Sequence, residues 1–589
     1  MRVAVVAGTG RSGLLCELAA DGSPRDGPVQ VKDLYAAVAG YESSGSVRWV
    51  WASGARLYPS LLRAGVQVAR CHDVELTERL VISRDGPQHG LAPPVLAGLA
   101  ATGAAGIGKP VQAQGALFEA AVSAGPDPAD VLGALIAAHA SQLSRIEADE
   151  WPARFGMLVA AESAGGLVAA EMSFAGVPWR ADVHDTLLAG LLGSRPPAMP
   201  AGARPARLAE LAARIDDAFG GRRVNPDSPA QLIRAFAADG IRVPSTRFSV
   251  LRDVDHPAAP LLLEYKELAR LHAAHGWAWL DSWVSGGRFR PEYVVGGVVS
   301  GRWASRGGGA LQIPKVLRRA VVADPGWVLV VADAAQLEPR VLAALAGDRA
   351  FAEAAATGDL YLALAGAFGG DRSKAKIALL SAMYGGAGGE AGQLLGVLRK
   401  RFPLASRYVE AAAQAGQEGR VVRSVLGRTC PPPSAAWRAI TEESGDPDAA
   451  RDPGAGAASR ARGRFTRNFV VQASAADWAI VLLAGLRRRL ALIPVPHGDR
   501  SAGLAVAGGE PSAGELSGGE LSGGGLTGGP HLVFFQHDEV IVHCPRSVVE
   551  PVLAAIGEAG EEAGRLVFGA TPVRFPLTTA VVSCYADAK

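Results

Sequence analysis

LVVADAAQLEPRVLAAL, residues 329–345, begins in one periodicity and ends in another. Leu329, Val330, Val331 and Ala332 read as a buried strand that runs out at Asp333. A helical pattern then carries Gln336, Glu338 and Arg340. A carboxylate at the end of a buried strand requires a partner, because an unpaired buried charge is costly. One such partner is a metal ion; the competing reading is an N-cap on the helix that follows. Taken alone, the stretch favours the cap, and the rest of the chain has to decide.

The chain has 589 residues, room for two to four domains with full cores. With 49% hydrophobic and 20% charged residues, its composition is that of an ordinary soluble protein. No apolar run reaches the roughly 18 residues of a membrane span, so no membrane partner is expected. MRVAVVAGTGRSG lacks a signal core and cleavage site, so export is not expected either. Cys16, Cys71, Cys430, Cys544 and Cys584 are scattered without a CxxC pair, which fits a reducing cytoplasm and argues against a zinc site. The net charge of +2 neither requires nor excludes nucleic acid. SKAK (373–376) and SRARGRFTRN (459–468) are basic clusters, although each by itself reads as a solvated helix face.

Residues 1 to about 155 mix strand-like runs with Ala-rich helices, and helical spacing continues from 155 to about 283. Within it, Ser228 caps a helix with Pro229 at its first position, and 260–284 reads as one long amphipathic helix. GRFRPEYVVGGVVSGRW (287–303) reads as strand, and 326–333 as a buried strand followed by helices to about 420. Residues 497–530 repeat a Gly-Glu-Leu-Ser theme that cannot bury a core and read as a surface loop. HLVFFQHDEVIVHCP (531–545) then reads as a hairpin with Gln536, His537, Asp538 and Glu539 at its tip.

Asp333 and Asp538 are thus two strand-end aspartates about 200 residues apart. Brought together, they could hold two divalent cations about 3.5–4 Å apart, and oxygen ligands with phosphate substrates favour magnesium. In DRSKAKIALLSAMYGG (371–386), steps of four place Arg372, Lys376, Leu380 and Tyr384 on one helix face. Two cations, an apolar residue and an aromatic suit a triphosphate, sugar and base, or form an ordinary amphipathic helix. Arg464, Asn468 and Gln472 form a second such face, suited to the acceptors of a nucleic-acid minor groove.

Together these motifs resemble a family A DNA polymerase. DAAQLEPR (333–340), RSKAKIALLSAMYG (372–385) and QHDEV (536–540) resemble its motifs A, B and C. SGRWAS (300–305), LQIP (311–314) and RFTRNFVVQASAAD (464–477) match its flanking stretches, in the family's order. The resemblance covers about residues 160–589. It implies an α/β (α+β) fold: a right hand of palm, fingers and thumb behind an RNase H-like exonuclease-type domain. The implied boundaries are 1–150 for the exonuclease-like domain, 151–285 for thumb and connecting helices, and 286–345 for the first part of the palm. Fingers follow at 346–440 and the second part of the palm at 441–589. The implied metal ligands are Asp333 and Asp538, with two Mg2+ ions as cofactor. Glu539 would lie beside the primer terminus and, with Lys376, among the catalytic residues. Arg372, Lys376, Leu380, Tyr384, Gln336 and Glu338 would bind the nucleotide, Glu338 as the gate against a 2′-hydroxyl. Arg302, Gln312, Arg464, Asn468, Gln472 and His537 would contact primer-template DNA. The implied partners are that DNA and deoxynucleoside triphosphates. A monomer with a cytoplasmic, nucleoid-associated place is expected.

The chain departs from the family pattern in several places. Ala334-Ala335 stand for Tyr-Ser, Pro339 for an aliphatic residue, Leu380 for an aromatic and Ser381 for a glycine. Altered sugar discrimination or fidelity is expected, with catalysis retained. Residues 1–150 lack the Asp-x-Glu on the first strand and the Tyr-x-x-x-Asp segment, where AAHASQLSRI (137–146) stands. Asp73-Val74-Glu75 reads as lying on a helix, so an inactive exonuclease fold is expected, and no 5′ nuclease domain. Gly8, Gly10 and Gly13 formally match a dinucleotide-binding loop followed by a helix, the signature of an oxidoreductase, but no acidic strand end follows. Asp33, near the required distance, opens a helix instead. A DNA-binding remnant without catalysis would carry the same motifs. So would a single-subunit RNA polymerase, which Glu338 opposes.

Overall fold

Short apolar runs near the N-terminus build a five-stranded sheet of order β3-β2-β1-β4-β5. β1 (Arg2–Ala7), β2 (Gly13–Leu18) and β3 (Val29–Val31) form an antiparallel meander. β4 (Arg48–Trp51) and β5 (Cys71–Asp73) run parallel beyond β1, and the helix Gly54–Arg63 supplies the crossover between them. Gly8 and Gly10 lie in the β1–β2 connection and Gly13 opens β2, so an antiparallel strand stands where the dinucleotide reading requires a helix. The disfavoured alternative thus fails: the glycines serve a hairpin turn, with Gly10 at φ +64°. Asp33 caps the helix Leu34–Ser44 as expected, accepting from the Tyr35 and Ala36 amides.

The structure is a computed structural model that describes residues 1–86, 127–195, 204–306, 312–356, 358–385, 396, 399–442, 453–496 and 528–588. The Gly-rich stretch predicted at 497–530 falls outside them except for its last three residues.

Two long apolar helices carry the rest. Pro152–Ala175 and Gly454–Leu490 are long and apolar enough to cross a membrane by length and composition, contrary to the expectation from the sequence. Their apolar windows are 67% and 89% buried inside this fold, which accounts for their composition. The N-terminal sheet is joined to both through a buried polar contact. Glu171 accepts from Tyr58, and Arg487 donates to the same carboxylate at 2.6 Å. Ser228 caps Pro229–Ala238 as predicted. The long helix read at 260–284 is two helices, Ala258–His275 and Trp277–Trp283. Gly276 breaks it: a Cβ there would stand 2.3 Å from the His272 carbonyl oxygen, so the chain turns where only glycine fits.

Residues 287–303 are not one strand. β6 (Val177–Pro178), β7 (Val284–Ser285) and β8 (Arg288–Phe289) form a small sheet of order β6-β8-β7. β9 (Glu292–Val294) pairs antiparallel with β10 (Ala304–Arg306), with Gly296 and Gly301 at positive φ in the intervening turn that presents Arg302. β11 (Trp327–Ala334), β12 (His531–Gln536), β13 (Glu539–Pro545) and β14 (Leu577–Val582) form an antiparallel sheet of order β12-β13-β11-β14. Every residue of β11 except Asp333 is buried. Val328, Val330 and Ala332 join one core with Trp478, while Leu329 and Val331 join a second with Trp179. Burial on both faces explains the unbroken apolar run before Asp333.

Candidate active site at the ends of two strands

Register builds the site. Asp333 pairs with Glu539 across β11 and β13, and the Ala334 amide donates to the Asp538 carbonyl at 2.9 Å. The hairpin of β12 and β13 closes on His537 and Asp538, since Gln536 pairs with Glu539. The two aspartates therefore occupy adjacent strand ends, both half-buried. Asp333 is not a cap. The next helix, Leu337–Ala346, starts four residues later behind Gln336, which makes no side-chain cap bond.

Gln336 and His537, at φ 58° and 56°, are the two non-glycine residues with left-handed backbone among those described. This conformation is uncommon outside glycine. One follows Asp333 by three positions and the other precedes Asp538, so both departures from ordinary backbone lie beside the carboxylates.

A cavity of about 180 Å³ opens here, lined by Arg302, Gln336, Glu338, Tyr361, His537 and Asp538 among others. It is smaller than the roughly 300–1,000 Å³ of common ligand pockets. Glu338 fills part of the space: its carboxylate accepts from both Arg302 and the Tyr384 hydroxyl. Burial raises Tyr384 above the ordinary tyrosine value. Burial, followed by the nearby Arg302 charge, lowers His537.

The helix Arg372–Tyr384 forms as expected, capped by Asp371. Arg372, Lys376 and Tyr384 are exposed and Leu380 is half-buried. Arg372 is engaged: it donates to Asp359 at 2.8 Å, and its guanidinium carbon lies 5.5 Å from the centre of the Tyr361 ring. On the long helix, Arg464 is exposed while Asn468 and Gln472 are half-buried, and Gln472 hydrogen-bonds Tyr384. Gln312 is exposed. The structure thus gathers Asp538, His537, Gln336, Glu338 and Arg302 at one cavity, with Asp333 at the adjacent strand end and Tyr384 on Glu338. Lys376, Leu380, Arg464, Asn468 and Gln312 do not line it. Glu539 does not line it either: it is buried beneath the hairpin and accepts from the Tyr585 hydroxyl near the C-terminus.

Three residues were given no role from sequence. Arg340, fully buried, donates to the carbonyls of Ala335, Ala355, Gly358 and Arg574 and so fixes the strand-to-helix turn to two distant loops. Its one signal was a charge inside the apolar helix pattern 337–345. Asp359 and Tyr361 lie in GDLYLA, which reads as no more than an N-cap and a helix start.

The N-terminal sheet shows the opposite chemistry. β1 carries no acid. Asp73 does not lie on a helix, as read from sequence, but ends β5, is buried, and accepts from the Leu76 and Gly54 amides at 3.0 and 2.6 Å. Burial raises its carboxyl to about 6. Beneath it, His72 meets Gln142 at 2.9 Å and packs edge-on against His139. No cluster of three or more His, Cys, Asp or Glu suited to a metal occurs among the described residues.

Comparison with known proteins places these observations. DNA polymerase I of Chloroflexus aurantiacus is 26% identical over 325 residues, covering 50% of this chain and 29% of that protein. The thermostable DNA polymerase I of Thermus filiformis is 25% identical over 343 residues, covering 52% of this chain and 34% of that one. The chain thus spans about a third of the length of these curated relatives. Among solved structures, the POL domain of Pol1 from M. smegmatis, in complex with DNA primer-template and dNTP, superposes with a TM-score of 0.65 at 19% identity. That match covers 100% of this chain and 95% of the other, and it shows a shared fold. The family model for DNA polymerase family A matches residues 203–581, well over half of the sequence and every element of the site. The chain belongs to DNA polymerase family A.

Proposed function

We propose that the chain carries out template-directed DNA synthesis, adding deoxynucleotides to a primer 3′ end. The observation that carries this reading is the register setting Asp333 opposite Glu539, which puts two carboxylates at adjacent strand ends beside Glu338 and Arg302. In the reaction, the primer 3′-hydroxyl gives up its proton to water as its oxygen bonds to the α-phosphorus of the nucleotide, the bond from that phosphorus to the β-phosphate oxygen breaks, and pyrophosphate leaves. Two half-buried carboxylates suit magnesium, which usually takes one or two protein carboxylates plus substrate phosphates. When bound at Asp333 and Asp538, it would supply Lewis-acid stabilisation of the phosphoryl oxygens. The chain's own residues position the rest. Arg372 and Lys376 hold the triphosphate, Glu338 closes the space a 2′-hydroxyl would need, and Leu380 and Tyr384 cover sugar and base. Arg302, Gln312, Arg464, Asn468, Gln472 and His537 face the primer-template duplex.

Within this reading, β11–β14 belong to the palm, residues 346–440 to the fingers and 151–285 to the thumb and connecting helices. The five-stranded sheet supports an exonuclease-type fold for residues 1–150. Its first strand without acids, and Asp73 held by backbone amides, support an absence of 3′–5′ cleavage. The test is extension of a labelled primer-template with magnesium and four deoxynucleotides, beside tubes without nucleotides. Template-specified lengthening and no shortening are expected. Retention of DNA without lengthening would favour the non-catalytic remnant.

A further inference from the structure

The residue that sequence reasoning passed over, Asp359, holds together two halves of the nucleotide site. Its Oδ2 accepts from the Arg372 Nε at 2.8 Å. Its Oδ1 accepts from the Gln336 Nε2 at 2.8 Å and from the Leu362 amide at 3.1 Å, which caps the helix Leu360–Ala365. Gln336 in turn accepts from the Leu360 amide at 2.8 Å. Arg340 fixes the preceding Gly358 carbonyl at 2.6 Å, so the loop that carries Asp359 is held from the strand-to-helix turn below. One carboxylate thus joins the left-handed residue after Asp333 to the first cation of the Arg372–Tyr384 helix.

We propose that Asp359 competes with the incoming triphosphate for Arg372: it holds that guanidinium while no nucleotide is bound and gives it up on binding, and so tunes nucleotide affinity. This rests on the polymerase reading of Arg372. A half-exposed ion pair is the right strength for such a role. Arg372 and Asp359 side chains are 50% and 35% exposed, so the pair is weak enough to exchange yet sufficient to park a long side chain. A triphosphate presents several negative oxygens to the same fork and outcompetes one carboxylate. The Tyr361 ring lies against the Arg372 guanidinium on the cavity side, giving the side chain an apolar surface to slide along. Asp359 is a positioning residue, since it acts through Arg372.

Asp359→Asn separates this role from a structural one. Asn keeps the Oδ1 acceptor for Leu362 and Gln336 but loses the negative Oδ2. On the full chain, titration with inorganic tripolyphosphate and magnesium measures anion binding without template or catalysis. Asp359→Asn is expected to bind about two- to fivefold tighter, roughly the worth of one half-exposed ion pair. The nucleotide KM in primer extension should fall by the same factor while kcat changes less than twofold. The gain should vanish in an Arg372→Gln background. An unchanged or weaker affinity, a gain that persists without Arg372, or a wild type that takes no tripolyphosphate overturns the proposal. Should the Asn variant fail to fold, Asp359→Ser, which still caps the helix, replaces it under the same criteria. Failure of the wild type to extend a primer would sink the polymerase reading instead, and the tripolyphosphate titration would still decide on Asp359.

Discussion

Two aspartates, Asp73 and Asp333, each end a buried strand and each precede a helix, yet their carboxylates have different fates. Asp73 is followed at once by the helix Val74–Asp85, and its side chain reaches the Leu76 amide. Asp333 is separated from its helix by Ala334, Ala335 and Gln336, and the N-cap position falls to Gln336. It stands at the strand end, opposite Glu539 and next to the hairpin of Asp538. The number of residues between strand end and helix start decides which aspartate caps a helix. Asp73 thus serves the fold, and the chemistry proposed above is assigned to Asp333 and Asp538.

The largest expected effect sharpens this contrast. Asp333→Ala or Asp538→Ala should lower primer extension on the order of a thousandfold. Neither should shift the thermal midpoint much, as read by circular dichroism. Equal loss of fold and activity would break the contrast. Next comes Arg340→Met, which strands the carbonyls of Ala335, Ala355, Gly358 and Arg574. A loss of about 3 kcal/mol or more is expected in urea unfolding. Asp73→Ala should cost about 1–3 kcal/mol by removing the cap and the Gly54 bond. Extension per folded molecule should stay as in wild type.

The pH dependence of stability probes the same N-terminal cluster. Burial lowers His72 to about 4 and His139 to about 2, below their ordinary value near 6.5. The unfolded chain therefore takes up more protons as pH falls, and the contribution present above about 6.5 is lost towards pH 4 for His72 and towards pH 2 for His139. Asp73, raised to about 6, works the other way, because the folded chain holds its proton between about 3.8 and 6. Two histidines outweigh one aspartate, so this cluster should contribute a loss of about 2 kcal/mol between pH 7 and 5. Asp73→Ala should lose more over that interval, and a loss equal to or below wild type would contradict this assignment. The smallest effect is expected for Tyr585→Phe, which removes the hydroxyl donor to Glu539. A two- to fivefold fall in kcat, at the scale of one hydrogen bond, is expected in steady-state extension.

Much of the site was legible because it is local. The β11 run, the hairpin at 536–539 and the Arg372–Tyr384 face follow from periods of two and 3.6, and each formed where the pattern put it. Their meeting was legible from motif order alone. What escaped depends on partners distant in sequence. Arg340 needs Arg574, 234 positions away, and Glu539 needs Tyr585 from the C-terminal end. Asp359 drew no reading at all; it is a plain cap, but its second oxygen holds Arg372. The glycines at 8, 10 and 13 offered only an alternative, disfavoured for want of an acidic strand end; a glycine-rich turn serves a hairpin as readily as a phosphate loop, and strand pairing separates the two. The break at Gly276 misled for a related reason: amphipathic spacing continues across it, while the backbone does not.

The most direct test of the account is a side-by-side extension of one labelled primer-template by wild type, Asp333→Ala and Asp73→Ala, each at equal folded concentration. The account predicts full extension by wild type and Asp73→Ala and none by Asp333→Ala. Loss of extension in Asp73→Ala, or its survival in Asp333→Ala, would contradict it.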